Sequence, residues 1–103
     1  MIFNILGAKV KVVEKDSALF NLQGQAHFDK NEIWVNNDLT DKRREETIVH
    51  EFTHWVLYRS GIREGMNGIV EEAICDALSF ALTENKHLVV LKKKKKKREK
   101  EQT

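Results

Sequence analysis

The apolar residues of this chain change their spacing once, near residue 38, and that change limits the fold more than any other feature. Before it they alternate. Val10 and Val12 stand between lysines and Ile33 and Val35 flank Trp34, the period of two that puts every second side chain on one face of a strand. After it they recur at Ile48, Val49, Phe52, Val56 and Leu57, the spacing of a helix with one apolar stripe. Strands gathered in the first half and helices in the second describe an α+β domain.

The strand half divides into two hairpins. Ile2–Leu6 and Lys9–Glu14 flank Gly7-Ala8, a pair suited to a type II′ turn, and Gln25–Asp29 and Glu32–Asn36 join through Lys30-Asn31. Asn36, Asn37 and Asp38 stop the last strand. The expected product is a small antiparallel-rich sheet of about three to four strands, with Phe28 and Trp34 as core or sheet-face aromatics. In the helical half, Thr40 can cap a first helix that Gly61 ends, and a loop, Ile62–Asn67, leads to a second helix from about Gly68 to Asn85. Val70, Ile74, Ala77, Leu78, Ala81 and Leu82 form the apolar stripe of that helix and predict that this side faces the core.

At 103 residues there is room for one small domain. Cys75 is the only cysteine, which rules out an intramolecular disulfide and a cysteine-based zinc cluster, and it reads as a small buried apolar residue. No stretch approaches the roughly 18 apolar residues of a membrane span, and the first residues lack the basic and long apolar regions of a signal peptide, so the expected compartment is the cytoplasm. Residues 92–103 carry eight basic and two acidic groups, a formal +6, which leaves the first 91 residues at −4. The reading is a folded domain, residues 1–91, with a disordered basic tail, residues 92–103. Six consecutive lysines can contact nucleic acid or anionic lipid by charge alone; with no aromatics between them they offer no base stacking, and the plainer alternative is a solubilising extension.

The residues that carry chemistry lie on the two helices. HEFTH, residues 50–54, sets His50 and His54 one turn apart on one face, the spacing two imidazoles need to reach one metal ion. Glu51 is rotated by about 100° from the first, alongside the pair, where it can take a proton from metal-bound water. Three acids on the second helix compete as third ligand: Glu71, Glu72 and Asp76. Helical angles put Glu71 beside Leu78 and Leu82, whereas Glu72 and Asp76 share a polar stripe with Ser79 and Thr83. Glu72 is therefore the expected ligand. Asp76, a turn further on, is the expected acceptor for the free nitrogen of a ligand histidine.

HEFTH followed, after seventeen residues, by Glu72-Ala73-Ile74-Cys75-Asp76 resembles the HExxH…ExxxD signature of the gluzincin metallopeptidases, of which thermolysin is the type. In small size and strand-then-helix order the chain is similar to the ImmA/IrrE-like metallopeptidases of phages and mobile elements, many of which cut a transcriptional repressor. The resemblance implies a Zn2+ endopeptidase with ligands His50, His54 and Glu72, base Glu51 and an orienting role for Asp76. It further implies a protein or peptide substrate, such as a DNA-binding repressor, laid antiparallel along the edge strand Gln25, Ala26, His27 and Phe28. His27 on that strand reads as an exposed histidine rather than a further ligand. Larger gluzincins add a histidine or tyrosine that stabilises the oxyanion; here Tyr58, Arg59, Arg63 and His87 are the nearby candidates and match no pattern, Tyr58 and Arg59 reading as helix-surface residues.

Two rival readings stand beside this one. A metal-stabilised binding module would close the coordination sphere with a fourth protein ligand, such as His27 or Asp76, where a catalytic site keeps a position open. A charge-driven nucleic-acid-binding protein rests on the tail alone and ranks last, because the body is acidic.

Overall fold

A computed structural model describes residues 1–85. The elements run β1 (Ile2–Ile5), β2 (Ala8–Lys15), β3 (Gly24–His27), β4 (Glu32–Asn36), α1 (Asp41–Ser60), a 3-10 turn (Ile62–Gly65) and α2 (Gly68–Glu84). The domain is α+β, as the change of spacing predicts. The expectations for His87, for the domain boundary at residue 91 and for the basic tail lie outside the described residues. Among the described residues, no helix is long and apolar enough to cross a membrane.

The four strands form one sheet in the order β1-β2-β4-β3. Both hairpins are antiparallel, and they meet through a parallel pairing of β2 with β4 in which Val12 stands opposite Ile33. That parallel junction is absent from the hairpin reading, which concerns only neighbours in sequence. It arises because the segment after β2 passes the end of β4 before β3 begins, where the Asn36 side-chain amide donates to the carbonyls of Phe20 and Leu22 at 2.8 and 3.0 Å. The consequence for function is positional: β3 becomes an outer edge with unpaired backbone groups.

Alternation works as predicted. Ile5, Val10, Val12, Ile33 and Val35 all point to one face and pack against Ile48 and Trp55 of α1 to make the core. The first turn departs from expectation: it is centred on Leu6 and Gly7, at φ 46° and 89°, two left-handed residues that make it type I′ rather than II′. Leucine in that region is unfavourable by about 1 kcal/mol. Arg59, on the helix surface as expected, donates to the Leu6 carbonyl at 2.8 Å and ties the turn to the end of α1.

Both helices end where the chain punctuates them. Thr40 Oγ1 accepts from the Arg43 N–H at 3.2 Å, Gly61 closes α1 in the left-handed region at φ 82°, and Asn67 Oδ1 accepts from the Val70 N–H at 2.8 Å to open α2. The helix α2, however, is rotated about its axis away from the predicted orientation. Its buried line is Glu71, Cys75 and Ser79, while Val70, Leu78, Phe80 and Leu82 of the apolar side are exposed and Ile69 is 85% exposed. A helix that must offer carboxylates to histidines on its neighbour turns its polar side inward, and the apolar side is then left outward.

Candidate metal centre

The site lies where α1 packs between β3 and α2. Thr47, Glu51 and Thr53 are buried on α1 although polar; the two threonines satisfy their hydroxyls on carbonyls one turn back, at 2.7 and 2.8 Å, so Glu51 alone must look outside the helix for partners. Close packing against β3 depends on Gly24. A β-carbon there would stand 2.5 Å from Thr47 Cγ2, nearer than such atoms approach, and a tight 3.2 Å from Glu51 Cγ, so bare backbone is what lets α1 close on the strand.

The two histidines and Glu72 converge as the motif predicts. His50 Nε2 and His54 Nε2 are 3.2 Å apart, and the Glu72 carboxylate spans them, Oε2 at 3.1 Å from the first and Oε1 at 2.9 Å from the second. Ligand atoms about 2.0–2.1 Å from a tetrahedral ion sit about 3.3 Å from one another. The observed spacings, one to each carboxylate oxygen, are only slightly shorter, and a donor set of two imidazole nitrogens and a carboxylate is one that zinc accepts.

Each imidazole is held from behind by a different carboxylate. His50 Nδ1 lies 2.9 Å from Asp76 Oδ1, the role expected of Asp76. His54 Nδ1 lies 2.5 Å from Glu71 Oε2. This corrects the helical-angle reading that left Glu71 among the leucines: the buried side of α2 faces α1, and Glu71 on it is 6% exposed. With both Nδ1 atoms donating, the two Nε2 atoms are left to point toward each other and Glu72.

Burial pushes the Glu51 carboxyl up to about 7, with His54 pulling it down, Glu72 pushing it up, and a hydrogen bond from the Ala26 N–H pulling it down. That N–H belongs to β3, so Ala26 turns its amide toward α1 and not to β4. Antiparallel alternation then puts Gly24 and Ala26 on the open edge and pairs Gln25 and His27 with Trp34 and Glu32. Burial also raises Glu71, but hydrogen bonds from His54 and Arg63 and their charges outweigh it and bring the group below the ordinary carboxylate range. Cys75 is fully buried beneath the histidines; burial, then Glu72, Glu71, Glu51 and Asp76 in turn, push its thiol up to about 12 and keep it neutral.

His50, His54 and Glu72 open into a cleft of ≈ 440 Å³ bounded by β3 on one side and by Arg63 and Gly68 on the other. Gln25, Ala26 and Phe28 line it. His27 does not reach it: its ring stacks on Trp34 at 3.7 Å and its Nε2 meets Gln25 Oε1 at 2.7 Å. Trp34 is a sheet-face aromatic and Phe28 packs on Trp55 and Tyr58. Three residues of the site carry no clear signal in the motif: Glu71, Gly24 and Arg63. Gly24 falls one residue before the strand predicted at Gln25–Asp29, and only its place inside β3 marks it as a point of close backbone approach.

A family model described as peptidase M78, IrrE N-terminal-like domain, matches residues 7–78, most of the chain. No curated protein and no solved structure matches.

Proposed function

The chain belongs to the IrrE N-terminal-like peptidase family, and from that premise we propose that it is a zinc-dependent metalloendopeptidase of minimal gluzincin type acting on a protein substrate. The observation that carries the reading is the convergence of His50 Nε2, His54 Nε2 and the Glu72 carboxylate within 2.9–3.2 Å of one another, with a buried carboxylate, Glu51, next to them.

His50, His54 and Glu72 would hold the ion, which when bound supplies Lewis acidity that polarises a carbonyl and makes water acidic near neutral pH. The rest follows from the chain's own side chains. Asp76 and Glu71 keep a proton on each Nδ1 and so leave each Nε2 free as a ligand. Glu51, with a pKa of about 7 in the metal-free protein, is matched to taking a proton from attacking water and returning it to the leaving amine. The Ala26 edge of β3 offers main-chain hydrogen bonds to an extended peptide, which reads backbone more than sequence. A DNA-binding repressor of a phage or mobile element remains the substrate class suggested by the family resemblance, and cytoplasmic location goes with it.

The rival reading of a closed, structural site draws on two groupings within 4.8 Å, the Cys75 thiol with ligand atoms of His50 and His54, and Asp76 with His50 and Glu72. The neutral, fully enclosed thiol argues for packing instead, and Asp76 meets the far nitrogen of His50 rather than the ligand side. The deciding experiment is Glu51→Gln in zinc-loaded protein, assayed on denatured casein and on internally quenched peptide mixtures. The expected result is full zinc occupancy with cleavage reduced about 10²- to 10⁴-fold; undiminished cleavage, or a wild-type chain that takes up no zinc, refutes the assignment.

A further inference from the structure

Glu71 has a second partner besides His54. Arg63 Nε donates to both of its carboxylate oxygens, at 3.0 and 3.1 Å. The arginine comes from the 3-10 turn between α1 and α2, entered through left-handed Gly61 and closed by the Met66 N–H on the Arg63 carbonyl at 3.2 Å, so backbone geometry fixes where it starts. Its guanidinium sits over the Phe28 ring at 5.0 Å, and that ring is stacked on Tyr58 at 4.2 Å. An arginine held on one face by an aromatic and at Nε by a carboxylate has little freedom left.

The carboxylate it meets is enclosed: the Glu71 side chain is 8% exposed against 44% for Arg63. An ion pair with both members in water would contribute little. Here one member is buried, and removing its partner leaves a desolvated charge half bonded. With only the His54 ring to hold it, the carboxylate finds water by rotating toward the space the guanidinium vacates. That rotation takes it off Nδ1, and a ligand histidine without an acceptor on its far nitrogen is free to turn or to change tautomer.

We propose that Arg63 is a positioning residue for the metal centre, holding the Glu71 carboxylate on His54 Nδ1 so that His54 presents a free Nε2 toward His50 and Glu72. The proposal rests on the reading of those residues as a zinc site. It extends the centre beyond the two motif-bearing helices to the turn that joins them, and it makes metal affinity depend on a residue outside both signatures.

The test measures zinc dissociation constants of the full chain by competition with a chromophoric chelator, together with the ¹⁵N shifts of the His54 ring. Wild type is compared with Arg63→Met, Arg63→Lys, Glu71→Gln and the Arg63→Met/Glu71→Gln double variant, circular dichroism verifying that each is folded. Arg63→Met is expected to weaken zinc about tenfold and to mix the two His54 tautomers, with Arg63→Lys in between. Because the arginine acts through Glu71, the double variant should bind no worse than Glu71→Gln alone. A wild-type constant and tautomer in Arg63→Met overturn the proposal, as does a loss that adds in full to that of Glu71→Gln. So does a raised KM at unchanged zinc affinity, which would make Arg63 a substrate contact. If Arg63→Met does not fold, the Lys and Gln variants decide by the same criteria. A wild-type chain without zinc affinity removes the underlying reading; wild-type affinity in every variant removes only this one.

Discussion

A single carboxylate shows most clearly how the site is tuned. Glu51 gains its raised pKa from burial that the HEFTH spelling does not reveal, since the motif fixes only its angle on the helix. The folded metal-free protein holds a proton on Glu51 up to about pH 7, whereas the unfolded chain releases it near 4.5, so Glu51's contribution to stability is full below pH 4.5 and declines as pH rises to about 7. At about 1.4 kcal/mol per pH unit the loss is on the order of 3 kcal/mol at most. Metal-stripped Glu51→Gln should therefore be more stable than metal-stripped wild type at pH 8, with the gap closing toward pH 5, measurable by urea unfolding at the two pH values. Gly24 belongs to the same scale. Gly24→Ala forces the new methyl against Thr47 and should cost roughly 1–3 kcal/mol while shifting Glu51; an unchanged urea midpoint would contradict the close approach seen between α1 and β3.

At the level of elements, α2 inverts the usual logic of an amphipathic helix. Periodicity located the helix, and Asn67 and Asn85 bound it, but the stripe of apolar residues gave the wrong side as the buried one. Burial follows the partner a helix has, and α1 offers the carboxylates of α2 two histidines. The line Glu71, Cys75, Ser79 is compatible with that surface because each polar group on it finds a bond, Ser79 Oγ donating to the Asp76 carbonyl at 2.9 Å. The outward position of Ile69 has a direct consequence. Ile69→Lys should leave the thermal midpoint of this chain within about 0.5 kcal/mol of wild type, where the same change on a core-facing helix residue would be severely destabilising.

For the whole molecule, the candidate metal centre lies on the seam that joins α2 to the rest. α2 brings few buried apolar side chains to α1, so the carboxylate–histidine pairs bridge that interface, and on the proposed reading a bound zinc would close it further. A ligand present at 1,000 times its dissociation constant stabilises the fold by about 4 kcal/mol, and in a domain of this size each kcal/mol moves the midpoint by about 4–8 °C. Stripping zinc with a chelator should thus lower the melting temperature by more than about 10 °C, and His54→Ala should abolish that difference; equal melting curves for wild type with and without zinc would separate the centre from the fold.

The chain's local patterns were sufficient for the class of fold, the two helix boundaries and the shared face of His50 and His54, because a strand's period, a capping side chain and a one-turn spacing act within a few residues of themselves. The parallel junction of β2 with β4, the inward turn of Glu71, the clearance at Gly24 and the reach of Arg63 depend on segments far apart in sequence coming together. Which face of a helix is buried, and which carboxylate loses its water, are properties of the neighbour that packing supplies, and so only the tertiary structure decides them.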